Sequence, residues 1–220
     1  MRELGLFIVE DHKKVDLLCA PKFVRTKKFV CALAQAPTLV NTTYLDYALK
    51  HNKLPPPEKY LLVDRDFEKQ HGFKMEEALE RARKNNGRLL KNWAIFCTEA
   101  VVGGYDTFRS IITANGGSSY LWKGGKNAVS VSKRSIDTAA KNDDVSQNQE
   151  EDEGDVLYLI SEAKETEFEL WRKFREMAKK HDMVPRIVRT EWLLFVAMAQ
   201  YVHWDPEWEL TEEKVEKMKK

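Results

Sequence analysis

Short apolar runs alternate with helical-period stretches along this chain. Residues 6–9 (LFIV) and 15–20 (VDLLCA) predict buried strands, because each is a brief apolar run. Pro21 then breaks the chain. From Val24 the spacing predicts a helix, with Phe29, Val30, Leu33 and Ala34 on one face and Arg25 and Lys28 on another. Pro37 ends it, and residues 38–40 (TLV) predict a further strand. Thr42 or Thr43 is placed to cap a helix carrying Tyr44, Leu45, Ala48 and Leu49. The succession is an α/β alternation.

Residues 51–66 contain three consecutive prolines, Pro55 to Pro57, and read as an extended linker. Residues 74–86 predict a charged helix with little apolar surface, closed by Gly87, suited to connect two domains. The pattern then restarts. A strand at 93–97 (WAIFC) precedes a helix at 106–114 with Phe108, Ile111 and Ile112 inward, and Gly116-Gly117 end it as a left-handed cap. A strand at 120–122 leads into 124–154, rich in Gly, Ser, Lys, Asn and acids, which is expected to be a mobile acidic insertion. Residues 156–160 (VLYLI) read as a buried strand. Phe168, Trp171, Phe174 and Ala178 mark a helix, 185–188 lead to a last helix with Trp192, Leu193 and Val196, and 210–220 are a charged tail.

The two halves repeat a pattern. Leu39-Val40-Asn41-Thr42-Thr43-Tyr44-Leu45 aligns with Ile187-Val188-Arg189-Thr190-Glu191-Trp192-Leu193 at a constant offset, 187 − 39 = 148. Val15-Asp16-Leu17-Leu18 aligns with Val156-Leu157-Tyr158-Leu159, and Gly5 before LFIV with Gly116-Gly117 before SSYLW. Several features in one order point to a duplicated α/β module.

Charge and composition narrow the function. Lys plus Arg is 36 and Asp plus Glu is 35, so a globally basic nucleic-acid binder is not indicated. No apolar run is long enough for a membrane span, and the first residues lack a signal-peptide core. Cys19, Cys31 and Cys97 are odd in number and widely spaced, as expected of reduced core thiols. There is no GxGxxG, P-loop, HExxH, GxSxG or CxxC, and the five histidines are scattered. No catalysis, cofactor or metal is therefore expected, and an enzyme of doubly wound type is disfavoured.

On these residues the second half resembles a complete BRCT domain, with Trp192 as its hallmark aromatic, and the first half resembles the same domain with Tyr44 in that place. The helix at 74–86 resembles the linker helix of tandem BRCT pairs. More narrowly, APKFVRTKKFVCALA, LPPPEKYLL and GGYDTFRSIITANGG are similar to the C-terminal BRCT pair of fungal multi-BRCT genome-maintenance scaffolds. The resemblance implies two small parallel sheets flanked by helices. Its boundaries are a first repeat at 1–52, a linker with helix at 53–88, a second repeat at 89–208 and a tail at 209–220. In the family the first repeat opens with a strand whose following turn completes a phosphate pocket. Met1 falls at the end of the corresponding first helix. The first repeat is therefore expected to lack that opening strand, to show three strands, and to offer no Ser/Thr-Gly partner for the phosphate.

The resemblance also implies a site. Lys28 matches the phosphate-binding lysine, Arg25 matches the arginine that meets the ligand main chain or C-terminal carboxylate, and Thr26 assists at the helix start. The plainer reading of the same residues is a solvated cationic helix face. In the second repeat the matching stretch, residues 164–169, carries three carboxylates that would repel phosphate. Val102, Gly103 and Gly104 fall where the family lines its specificity groove, although an ordinary strand-to-helix turn reads equally well. The expected function is a nuclear phosphopeptide-binding scaffold module of the DNA-damage response. Its partners would be a phosphoserine protein such as a phosphorylated histone tail, and other repair proteins, with no direct nucleic-acid or membrane site. A phosphate-independent protein–protein scaffold is the alternative.

Overall fold

The computed structural model describes residues 2–10, 15–125 and 156–218. The expectation for 124–154 thus falls, apart from Gly124 and Gly125, outside the described residues. The chain divides into two compact units that interleave in sequence. One comprises residues up to 91 with 106–117 and 191–204; the other comprises 92–105, 118–190 and 205 onward.

In the first unit two strands, β1 (Leu17–Cys19) and β2 (Thr38–Val40), pair in parallel, Leu18 opposite Leu39. They are joined by α1 (Lys27–Leu33), whose Phe29, Val30, Cys31, Ala32 and Leu33 are all buried. The predicted strand at 6–9 does not form. Phe7 and Ile8 are 70% and 89% exposed, because no described strand lies beside them to take up their backbone groups. The expected three-stranded sheet is therefore two-stranded among the described residues. The far edge of β2 is closed by Leu61, which bridges Val40 in antiparallel sense.

Helix α2 (Thr43–His51) buries Tyr44 and Ala48 but leaves Leu49 exposed. Its start is held by Asn41, whose side-chain oxygen accepts the Thr43 N–H at 3.0 Å; neither Thr42 nor Thr43 serves as the side-chain cap. The stretch read as linker instead contains α3 (Arg65–His71), capped by Asp64 and ended by Gly72 at φ 71°. Short length and an apolar content limited to Phe67 hid it. Helix α4 (Met75–Asn85) forms as expected, and buries Met75, Ala78 and Ala82.

Residues 106–117 contain most of α5 (Tyr105–Ala114), with Phe108, Ile111 and Ile112 buried. Gly116 takes φ 84° and Gly117 N–H returns to Ile112 at 3.0 Å, the left-handed cap that the Gly-Gly pair predicts. Residues 191–204 carry α7 (Thr190–Ala199), where Trp192 is fully buried. Arg81 of α4 donates to the Ala199 carbonyl at 2.8 Å and lies over the Tyr201 ring.

The second unit is built on a four-stranded parallel sheet in the order β4 (Ser118–Leu121), β3 (Ala94–Cys97), β5 (Val156–Ile160), β6 (Val184–Val188). Numbered within the repeat, the order is 2-1-3-4. Pro185 is tolerated because β6 is an edge strand. Helix α6 (Phe168–Lys180) presents Trp171, Phe174 and Ala178 to a core shared with Phe96, Trp122, Leu157, Leu159 and Ile187. The charged tail also contributes to that core: α8 (Glu212–Lys217) buries Val215, Leu210 is buried ahead of it, and Arg175 pairs with Glu212 at 2.6 Å.

Candidate functional site

The connection from β1 to α1 carries the cationic run, and its course is set by one inward ring. Phe23 is buried against Phe29 and Phe67, with ring centroids at 6.2 and 5.8 Å. Its backbone N–H donates to the Asp64 carboxylate at 3.3 Å. With Phe23 pinned inward, Arg25, Thr26, Lys27 and Lys28 all face solvent. Thr26 has extended backbone (φ −76°, ψ 149°), and its carbonyl accepts the Val30 N–H at 3.0 Å. The Thr26 hydroxyl makes no capping bond.

Arg25, Thr26 and Lys28 thus lie within one exposed turn. Arg25 and Lys28 form no ion pair among the described residues. Arg25 also bears on His71, at the end of α3. Partial burial first, and the Arg25 charge second, hold the His71 imidazole below its ordinary pKa. Sequence reasoning missed Asp64, Phe67 and His71. The available signal was an Asp three residues before Phe67 inside a charged stretch, which marks an N-cap.

Val102, Gly103 and Gly104 form the turn between β3 and α5. Gly103 and Gly104 take φ 99° and 77°, values that favour glycine. The Val102 N–H donates to Glu162 at 2.9 Å, the Gly104 N–H to Val101 at 3.0 Å, and the Val102 side chain is 71% exposed. These three residues belong to the second unit.

The second unit carries a buried polar cluster that the sequence did not disclose. Thr98 follows β3 and Ser161 follows β5, both buried. Ser161 Oγ–H donates to Glu167 Oε2 at 2.9 Å and accepts the Trp171 indole N–H at 2.8 Å. Thr98 Oγ1 lies 3.4 Å from the same hydroxyl. Of the carboxylates at 164–169, Glu165 and Glu169 are exposed while Glu167 is buried. A polar residue directly after each apolar strand was the signal for this cluster.

Burial raises the pKa of all three thiols, Cys31 to about 11 and Cys97 to about 12. No group of three or more His, Cys, Asp or Glu side chains able to hold a metal occurs among the described residues. No described helix is long and apolar enough to cross a membrane.

Two small parallel sheets flanked by helices, with the buried aromatics Tyr44 and Trp192 on the helices that follow β2 and β6 in sequence, define the fold of a tandem BRCT pair. Residues 1–62 match the family described as the BRCT domain of regulator of Ty1 transposition protein 107. The fold is shared with the crystal structure of the BRCT5-BRCT6 domains of Schizosaccharomyces pombe Brc1. The TM-score is 0.70 and the identity 22%, over 97% of this chain and 91% of that one. It is also shared with Rtt107p in complex with a phosphorylated histone, at TM-score 0.60 and 16% identity, over 93% and 79% of the two chains.

Among relatives in sequence, BRCT-containing protein 1 of Schizosaccharomyces pombe is 31% identical over 53% of this chain and 14% of its own length. Human mediator of DNA damage checkpoint protein 1 is 33% identical over 52% of this chain and 5% of its own length. The matched region is thus a small part of each of these relatives.

Proposed function

We propose that this chain is a phosphopeptide-binding scaffold module of the DNA-damage response, acting in the nucleus and without catalysis. The observation that carries the reading is the exposed run Arg25-Thr26-Lys27-Lys28 at the start of α1, on a fold shared with a protein solved in complex with a phosphorylated histone. A dianionic phosphate needs charge-assisted donors, and such bonds contribute about 1.5–3 kcal/mol each. Lys28 is the proposed phosphate ligand, with Thr26 donating through its hydroxyl. Arg25 is proposed to hold the ligand main chain or its terminal carboxylate. Val102, Gly103 and Gly104 are the proposed groove residues, where the absence of a side chain at two positions admits a ligand backbone.

The proposed partner is a phosphoserine protein at damaged chromatin, a phosphorylated histone tail in the first instance, with other repair proteins assembled on the same scaffold. The test is calorimetric titration with an acidic serine peptide in phosphorylated and unphosphorylated form. The phosphorylated peptide is expected to bind more tightly. Lys28→Met is expected to remove that preference while leaving the circular dichroism spectrum unchanged. Equal binding of both peptides by the unaltered chain would favour a phosphate-independent scaffold.

A further inference from the structure

The second unit contains a cleft of about 440 Å³ lined by Glu99, Ala100, Trp122, Lys123, Glu167 and Leu170. Its chemistry is opposite in sign to that of the Arg25–Lys28 turn. Glu167 is the residue immediately before α6, the place that Thr26 holds before α1. Only 6% of Glu167 is exposed. One carboxylate oxygen, Oε2, accepts from Ser161; the other, Oε1, has no hydrogen-bond partner among the described residues. A carboxylate with one oxygen committed and one uncommitted is fixed in orientation and still able to accept.

The rest of the cleft suits a long cationic side chain. The Trp122 indole N–H donates to the Leu170 carbonyl at 2.9 Å, which locks ring and helix together as an apolar wall. A lysine or arginine stem lies against such a wall while its head group seeks charge. At the rim Glu99 is paired with Lys123 at 2.7 Å, both largely exposed. Two carboxylates and one ammonium leave the lining one negative charge in excess. Lys123 is therefore the internal competitor for an incoming cation: it neutralises Glu99 and, among the described residues, leaves Glu167 Oε1 without a partner.

We propose that this cleft is a second binding site, which takes a lysine or arginine side chain from a basic polypeptide segment. Glu167 Oε1 accepts from the cationic head, Glu99 assists after exchanging its contact with Lys123, and Trp122 and Leu170 cover the methylene stem. Phosphate is excluded by the same carboxylates. The site stands on the second unit alone and does not depend on the phosphopeptide reading.

The probe is a short peptide with one central lysine, compared with the same peptide bearing acetyl-lysine, titrated into the whole chain. The readout is the indole N–H resonance of Trp122 and the amide of Lys123. The lysine peptide is expected to shift both resonances saturably, more weakly at high salt, and the acetylated peptide to leave them in place. Glu167→Gln keeps an oxygen for Ser161 and is expected to weaken binding about tenfold, the loss of one charge-assisted bond. Lys123→Gln is expected to strengthen binding, because it removes the competitor; a purely structural role for Lys123 predicts no gain. Should Glu167→Gln fail to fold, Glu99→Gln added to Lys123→Gln is expected to weaken binding relative to Lys123→Gln alone, because it removes the second carboxylate of the cleft with the competitor already gone. No saturable shift, equal binding of the acetylated peptide, or weaker binding by Lys123→Gln would each overturn the proposal.

Discussion

Asp64 accepts the backbone N–H of Phe23 at 3.3 Å, across 41 residues of sequence, while its second oxygen caps α3 through Phe67 at 3.1 Å. One carboxylate therefore fixes both the helix start and the loop that displays Arg25 and Lys28. Asp64→Ala is expected to destabilise the fold by about 1–2 kcal/mol, the usual cost of an N-cap with an added long-range bond. Under conditions where it remains folded, it should weaken phosphopeptide binding although Asp64 touches no ligand. Denaturant unfolding and calorimetry on the same variant separate the two effects.

His71 reports on the same loop. Its pKa is lowered in the folded chain by burial and by Arg25, so the folded state takes up its proton less readily than the unfolded state. The stability associated with neutral His71 is thus present above the unfolded value near pH 6.5. It is lost as pH falls through the lower folded pKa. His71→Gln should flatten that part of the stability curve. Arg25→Gln should raise the His71 pKa towards its ordinary value, as read from its ring proton shifts. A dianion bound beside Arg25 is expected to raise it as well.

The buried hydroxyl of Ser161 serves three groups at once, accepting from Trp171 and donating to Glu167 with Thr98 nearby. Ser161→Ala leaves a buried indole N–H and one carboxylate oxygen without partners. It is expected to cost about 2–4 kcal/mol, near the sum of two unsatisfied polar groups. Thr98→Val, which deletes only the long 3.4 Å contact, should cost distinctly less. Paired denaturant curves measure both.

Gly116 takes φ 84°, and a Cβ there would meet the Gly87 carbonyl oxygen at 2.8 Å. Gly116→Ala is expected to destabilise by about 1–3 kcal/mol, combining a left-handed backbone with a clash against main chain. Gly104 also has a positive φ of 77° but open space around its Cβ position. Gly104→Ala should therefore cost less. Thermal unfolding of the two variants gives the comparison.

Burial holds the Cys31 and Cys97 thiols at about 11 and about 12. At pH 8 the thiolate fraction of Cys31 is on the order of a thousandth. Cys19 is only half-buried, and its pKa is raised less far. Iodoacetamide is expected to modify Cys19 first in the native chain, and Cys31 and Cys97 only on unfolding. Mass spectrometry of timed samples reads the order directly.

What was legible in the sequence was whatever periodicity and repetition could carry. The strand runs at 156–160 and 93–97, the α6 stripe of Trp171, Phe174 and Ala178, and the Gly116 cap announce themselves locally. The run at 6–9 misled because apolar composition does not supply a neighbouring strand, and a strand without a partner leaves its backbone bonds unmade. Helix α3 escaped because seven residues with one aromatic give no readable stripe. At the candidate site the cations were visible as residue types. The Asp64 link and the Ser161 cluster were not, since both join positions whose proximity only the fold creates.

The interleaving of the two units has a consequence for synthesis on the ribosome. The first unit includes α7, so it lacks one of its own helices until Trp204 has been added, 113 residues after Lys91. At roughly 5–20 residues per second that interval lasts roughly 6–23 s. During it, Arg81 and Asn85 of α4 are without the Ala199 and Gln200 carbonyls that accept from them, and Phe73 is without the Phe195 ring. A nascent chain stalled just after residue 117 would therefore be a client for holding chaperones, and one released past Trp204 would not.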